Sequence, residues 1–219
     1  MSKHLQNELD QLNRDLLYIA SLVKENVRKS MVSFYERRTE LAEEVIEGDE
    51  KIDQKEVQVE EECLKLLALH QPVAQDLRFI AVVMKVNNDL ERMGDSAVGI
   101  ARRAIHILKE VPCKVPEELK TMTERAIQMV DDSLDAFIRK DAGAARAISG
   151  RDDEVDQLHK SILKQLQKSM EEDPKTIPSA LDVFTITRRI ERIADYATNV
   201  CEDIIYMVEG NIVRHYLKK

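Results

Sequence analysis

The stretch LERMGD at residues 90–95 returns one hundred residues later as IERIAD at residues 190–195. Each copy sets a Glu and an Asp four apart, Glu91 with Asp95 and Glu191 with Asp195. At about 3.6 residues per turn, positions four apart lie on one helix face. Each copy therefore presents two carboxylates side by side, with one Arg (Arg92, Arg192) about a quarter-turn away. An element that occurs twice in one chain points to a duplicated unit.

Around the first copy, Leu77, Ile80, Met84, Asn87, Glu91, Gly94, Val98, Ala101, Ile105 and Leu108 alternate by three and four. This spacing predicts a helix over residues 73–109. Asn87 and Glu91 interrupt the apolar stripe at its midpoint, and a buried carboxylate is costly unless paired or bound. A second stripe, Val86, Leu90, Met93, Ala97, Ile100, Ala104 and Ile107, means that this helix packs on two sides. The second copy lies in an equivalent helix over residues 179–216, where Glu191 interrupts the stripe of Leu181, Phe184, Thr187, Ala194, Thr198, Cys201, Ile205 and Val208.

Upstream, a near-heptad stripe from Leu5 to Phe34 predicts one long helix over residues 4–47. Gly48 and Asp49 are expected to break it, Gly as a helix end and Asp as the next cap. A second helix then runs to residue 69, with Asp49, Asp53, Glu56 and Glu60 on a stripe that overlaps its apolar arc. Pro72 starts the third helix. The pattern restarts after residues 111–116, a stretch with two of the five prolines. A fourth helix is expected over residues 117–149, a break at Ser149-Gly150, and a fifth helix over residues 152–171. Asp152 and Asp156 repeat the spacing of Asp49 and Asp53, while His159 and Leu163 take the places of Glu56 and Glu60. The expected fold is all-α: two tandem, pseudo-symmetric three-helix bundles, residues 1–110 and 116–219, joined by a linker at 111–116.

Composition agrees. The 219 residues are 43% hydrophobic, 34% charged and only 4% aromatic, with six Gly and no Trp. That profile fits long helices. A net charge of −8 argues against general nucleic-acid binding, which needs a basic face. Cys63, Cys113 and Cys201 lack metal-finger spacing and read as reduced thiols of a cytosolic protein. The N-terminal residues show no signal peptide, and no apolar run is long enough to span a membrane. A membrane could be met only through partner proteins.

Each half thus offers paired carboxylates on consecutive helices, an oxygen-rich set suited to hard cations or to a small cluster of iron, manganese or zinc. The alternative is ordinary solvated charge on helix surfaces. Glu-x-x-His, the signature of ferritin-like di-iron bundles, does not occur. Asp156-Gln-Leu-His159 comes near it once; His159 reads as a surface or hydrogen-bonded side chain, with a ligand role as the alternative. His4, His70, His106 and His215 show no site spacing. There is no phosphate loop, nucleophile elbow or Cys–His constellation, so the reading is non-enzymatic. The rival class is a carboxylate-bridged metal enzyme or metal-storage bundle.

Five stretches together resemble the PhoU family: VIEGDEKID (45–53), QPVAQDLRFI (71–80), DLERMGDSAV (89–98), TIPSALDVF (176–184) and RRIERIADYATNVCED (188–203). The resemblance implies a fold of two three-helix bundles. It also implies a cytoplasmic regulator that restrains the Pst phosphate transporter and keeps the phosphate-starvation two-component system quiet. The implied partners are the transporter's cytoplasmic ATPase and a phosphate-responsive sensor histidine kinase, and a homodimer is expected. It further implies metal ions (iron, zinc, manganese or magnesium), singly or as a multinuclear cluster, on four acid pairs: Asp49 with Asp53, Glu91 with Asp95, Asp152 with Asp156, and Glu191 with Asp195. Two positions depart from the family pattern: Ala194 replaces a Gly, and Gly99 stands where the second half has Asn199.

Overall fold

The first helix of each half is ended by a basic residue in the left-handed region. α1 (Lys3–Glu36) stops at Arg37, with φ 56°. The Arg38 N–H then donates to the Ser33 carbonyl at 3.0 Å. In the second half, α4 (Glu118–Arg139) stops at Lys140, with φ 52°. There the Asp141 N–H donates to the Ala136 carbonyl, also at 3.0 Å. Both ends are the Schellman arrangement that Gly usually supplies. The structure is a computed structural model and describes residues 3–213.

These two ends correct the expected boundaries. The first helix closes at Glu36 rather than 47, and the fourth at Arg139 rather than 149. The expected break at Gly48-Asp49 is absent: α2 (Thr39–His70) runs straight through it. A Gly inside a helix costs only about 1 kcal/mol relative to Ala. Ala42, Val45 and Ile52 on either side are at most 1% exposed, and each fully buried Val or Ile contributes about 1.5–3 kcal/mol. Packing therefore carries the helix across the Gly. In the second half the break does occur. α5 (Ala142–Ser149), capped by Asp141 through a 2.9 Å bond from the Ala144 N–H, stops at Gly150. The Arg151 N–H closes a tight turn onto the Ile148 carbonyl at 2.9 Å, and α6 (Asp152–Glu172) starts afresh.

α3 (Ala74–Ile107) and α7 (Ile177–Glu209), the latter preceded by a short 3-10 turn (Pro174–Thr176), are the third helices of the two halves. α1, α2 and α3 form one bundle; α4, α5–α6 and α7 form the other. The expected plan of two three-helix bundles is present, and among the described residues α5 and α6 together stand for the helix that α2 forms in the first half. Among the described residues there is no strand.

The bundles are joined through α3 and α7, which lie antiparallel. The second apolar stripe of α3, Val86 to Ala104, is buried as packing on two sides requires. Lys85 pairs with Asp203 at one end of the seam. At the other, Asp182 accepts from Arg103 at 3.2 Å and lies 2.7 Å from Nδ1 of His106. Lys24 and Arg28 of α1 both reach Asp131 of α4 at 2.7 Å, a second tie between the halves. All three cysteines are free. Burial pushes the thiols of Cys63 and Cys201 up to about 12, which keeps them protonated and unreactive.

Candidate metal-binding faces

In the first half the four expected acids come together from α2 and α3. Asp49 and Asp53 lie one turn apart on α2, and Glu91 and Asp95 one turn apart on α3. Burial raises Asp49 to about 6, with further repulsion from Asp53 and Asp95 and partial relief from Arg102. Asp53 is raised by burial, then by Asp95 and Glu50. Glu91 is raised by burial, then by Asp95, Asp53 and Glu56. These carboxylates therefore feel one another across the helix pair. Glu56 belongs to the same face: burial raises it, with Glu60 and Asp53 adding to the effect. Asn87, the other polar interruption of the α3 stripe, donates to the Glu56 carbonyl at 2.9 Å and to its carboxylate at 3.2 Å. It orients that side chain with its amide N–H group, while its own Oδ1 is buried beside the acids without a hydrogen-bond partner.

Two observations suit a cation here. Oδ1 of Asp49 is buried and has no hydrogen-bond partner in the protein. Gly94 leaves room beside it, since a Cβ at that position would lie 3.3 Å from the same oxygen. An acid-only set with an orphaned inward oxygen has the donor chemistry of a hard-cation site. Among the described residues the ligand atoms of these carboxylates do not gather within 4.8 Å of one another.

The second half is built differently. Asp152, 5% exposed, stands in the first turn of α6, where the helix N-terminus favours a carboxylate. Asp156 follows one turn later. Glu191 and Asp195 occupy the matching turns of α7. One contact between α6 and α7 is made by His159, whose Nδ1 lies 3.0 Å from Oε1 of Glu191. Its Nε2 is buried without a hydrogen-bond partner. His159 is thus not a surface side chain: it pairs with Glu191 through one nitrogen and leaves the other, buried, without a hydrogen-bond partner. The donor set gains a nitrogen, which suits borderline ions such as zinc as well as harder ones.

Gly99 also finds its reason. A Cβ there would fall 2.1 Å from Cζ and Nε of Arg189, so the missing side chain is a notch that admits Arg189 from α7. Arg189 donates to the Asp95 carbonyl at 3.3 Å. Burial and the nearby Arg192 press its guanidinium below its usual value; Asp95 opposes this, and Arg103 and Arg102 add to it. Arg189, Arg92, Arg192, Glu91 and Asp95 line a cavity of about 430 Å³ between α3 and α7. The first acid face thus opens onto a groove edged by three arginines. No single-residue signal in the sequence announces this, because the notch and its occupant are ninety residues apart.

The histidines hold one more surprise. His4 and His70, which show no site spacing along the chain, meet around Glu8 at the far end of the first bundle.

Two acid-lined three-helix bundles, joined back to back through their third helices, define a tandem-bundle helical protein with one polar face on each half. The particular family follows from comparison: the chain belongs to the PhoU family, whose PhoU domain matches residues 16–104 and again 119–204. A phosphate-specific transport system accessory protein PhoU homolog of Aquifex aeolicus is 41% identical over 211 residues, covering 96% of each chain. The phosphate-specific transport system accessory protein PhoU of Escherichia coli K12 is 35% identical, over 98% of this chain and 91% of its own. The crystal structure of PhoU from Pseudomonas aeruginosa superposes with a TM-score of 0.91 at 37% identity, covering 94% of this chain and 99% of that one. That of the phosphate transport system regulatory protein PhoU from Streptococcus pneumoniae gives 0.90 at 33% identity, covering 95% and 99%. PhoU proteins are accessory and regulatory rather than enzymatic. No described helix is long and apolar enough to cross a membrane.

Proposed function

We propose that this chain is a regulatory adaptor of a phosphate-specific transport system. It restrains the transporter through the transporter's cytoplasmic ATPase, and it holds a phosphate-responsive sensor kinase quiet when phosphate is plentiful. Relatives named as accessory proteins of that system, matched over nearly the whole of both chains, support the reading. Such a regulator acts through its differing affinity for two states of its target.

The observation that carries the role of the acids is the pair of matched faces. Asp49, Asp53, Glu91 and Asp95 would hold metal on the first bundle, and Asp152, Asp156, Glu191 and Asp195 on the second, with His159 beside them. A bound cation would supply neutralising charge, so that the crowded carboxylates stiffen the α2–α3 and α6–α7 seams instead of repelling one another. Arg189 and Arg192 edge the first face and would present positive charge to a partner. Leu64, Leu69 and Val73, each more than half exposed, leave an apolar edge on the first bundle for a second copy in a homodimer.

Purified transporter ATPase and the kinase's cytoplasmic portion, each tested for capture by this chain with and without metal, check the proposal. Capture of either partner, strengthened by metal, is expected. Failure to capture both with metal loaded would overturn it.

A further inference from the structure

The first bundle closes at one end with a cluster that none of the acid faces uses. His4 and Glu8 stand one turn apart at the start of α1, and His70 is the last residue of α2. Because the two helices run antiparallel, the start of one meets the end of the other. Nε2 of His70 lies 2.6 Å from Oε2 of Glu8, and Nε2 of His4 lies 3.8 Å from Oε1. The imidazoles meet edge to face, with centroids 5.8 Å apart. One ligand atom from each residue falls within 4.8 Å of the other two. Among the described residues this is the group of donors that meets that criterion, and none of the eight acids belongs to it.

We propose that His4, Glu8 and His70 bind one divalent transition-metal ion of the zinc class, as a staple between the start of α1 and the end of α2. The donor set decides the class. Two imidazole nitrogens and one carboxylate oxygen suit zinc, cobalt or nickel, whereas magnesium and calcium require oxygen ligands. Bonds of about 2.0–2.1 Å in a tetrahedral shell place ligand atoms about 3.4 Å apart. The present separations, all within 4.8 Å, bracket that value, so the donors already stand close to such a shell. A fourth position stays open to water.

The surroundings fit this use. Glu8 and His70 are half-buried and His4 is exposed, so two ligands are held and the third can close over an entering ion. Gln71, in the left-handed region with φ 45°, donates from its N–H to the Leu67 carbonyl at 3.2 Å and fixes the helix end that carries His70. The site is well separated from the acid faces: His70 lies about 25 Å along α2 from Asp53. Its binding stands or falls independently of theirs.

The test uses the tag-free full chain, freed of metal and titrated with Zn²⁺ while the histidine ring nitrogens are followed by long-range ¹H–¹⁵N NMR. His4 and His70 are expected to shift together and to saturate at one equivalent, with His106 unmoved. A shift of His159 would report the second acid face instead, so the two kinds of site are read apart. Mg²⁺ is expected to leave His4 and His70 in place. In a His70→Ala chain, the Zn²⁺ concentration needed to shift His4 is expected to rise by about tenfold or more, since loss of even an outer-shell partner costs that much. The proposal is overturned if neither ring shifts with Zn²⁺, if they shift at different concentrations, or if His4 responds equally without His70.

Discussion

The two halves of this chain share a plan and differ at one turn of helix. In the first half α2 runs unbroken past Gly48, so Asp49 lies in mid-helix with an orphaned oxygen and a raised pKa. In the second half the chain breaks at Gly150 and α6 begins at Asp152, so the equivalent acid sits at a helix N-terminus. A carboxylate in mid-helix gains nothing from the helix dipole, while one in the first turn is stabilised by it. The halves also differ in donors: Glu56 on one side, His159 on the other. The lesson is that duplicated acids need not be duplicated sites. The first face holds carboxylates under mutual repulsion that a hard cation would relieve; the second already has a helix end and an imidazole.

The largest effect should come from breaking the continuity of α2. Gly48→Pro removes a hydrogen bond inside that helix and should cost about 3 kcal/mol in denaturant unfolding. A loss below about 1 kcal/mol would mean that the helix already breaks there, as it does at Gly150.

Next comes the notch. Gly99→Asn, which copies the residue of the second half, should drive Arg189 from its seat and cost about 1–2 kcal/mol. The loss should shrink when Arg189→Ala is added, because the clash then has no second party.

A smaller pair of changes should have opposite signs. Burial with neighbouring acids holds Asp49 at about 6 in the folded chain, against about 3.9 in the unfolded chain. The folded state therefore takes up this proton first. Ionised Asp49 weakens the metal-free fold above about pH 6, and the penalty fades as pH falls toward 4. Asp49→Asn should stabilise metal-free protein by about 1 kcal/mol at pH 7.5, and the gain should vanish near pH 4. Asp152→Asn should instead lose about 0.5–1 kcal/mol at pH 7.5, because it removes charge from a helix N-terminus. Thermal melts across that pH range compare the two directly.

The smallest effects lie where the halves agree. Arg37→Gly and Lys140→Gly relieve left-handed backbone and should each raise stability by about 0.5–1 kcal/mol.

Much of the fold was legible because three- and four-residue spacing is strict through α1, α3 and α7, and burial follows it from Leu5 to Phe34 and from Val86 to Ala104. What misled was punctuation. Gly48 looked like a stop, but buried Val45 and Ile52 outweigh a single Gly; Arg37 and Lys140 look like helix formers, yet both turn the chain. The pairing of Asp49 and Asp53 with Glu91 and Asp95 was readable from periodicity. His159 was visible only as a near miss, because its use depends on Glu191 of another helix. The cluster of His4, Glu8 and His70 was half legible in the four-residue spacing of His4 and Glu8. The third member, sixty-two residues away from Glu8, needed the antiparallel packing of α1 and α2.

The most direct measurement is elemental analysis of protein purified without chelator. It is best made in a chain carrying His4→Ala and His70→Ala, so that only the acid faces are counted. The account predicts metal in this chain and none once Glu91, Asp95, Glu191 and Asp195 are also changed to Ala. Equal metal in both, or none in either, would contradict it and return the eight carboxylates to solvated charge.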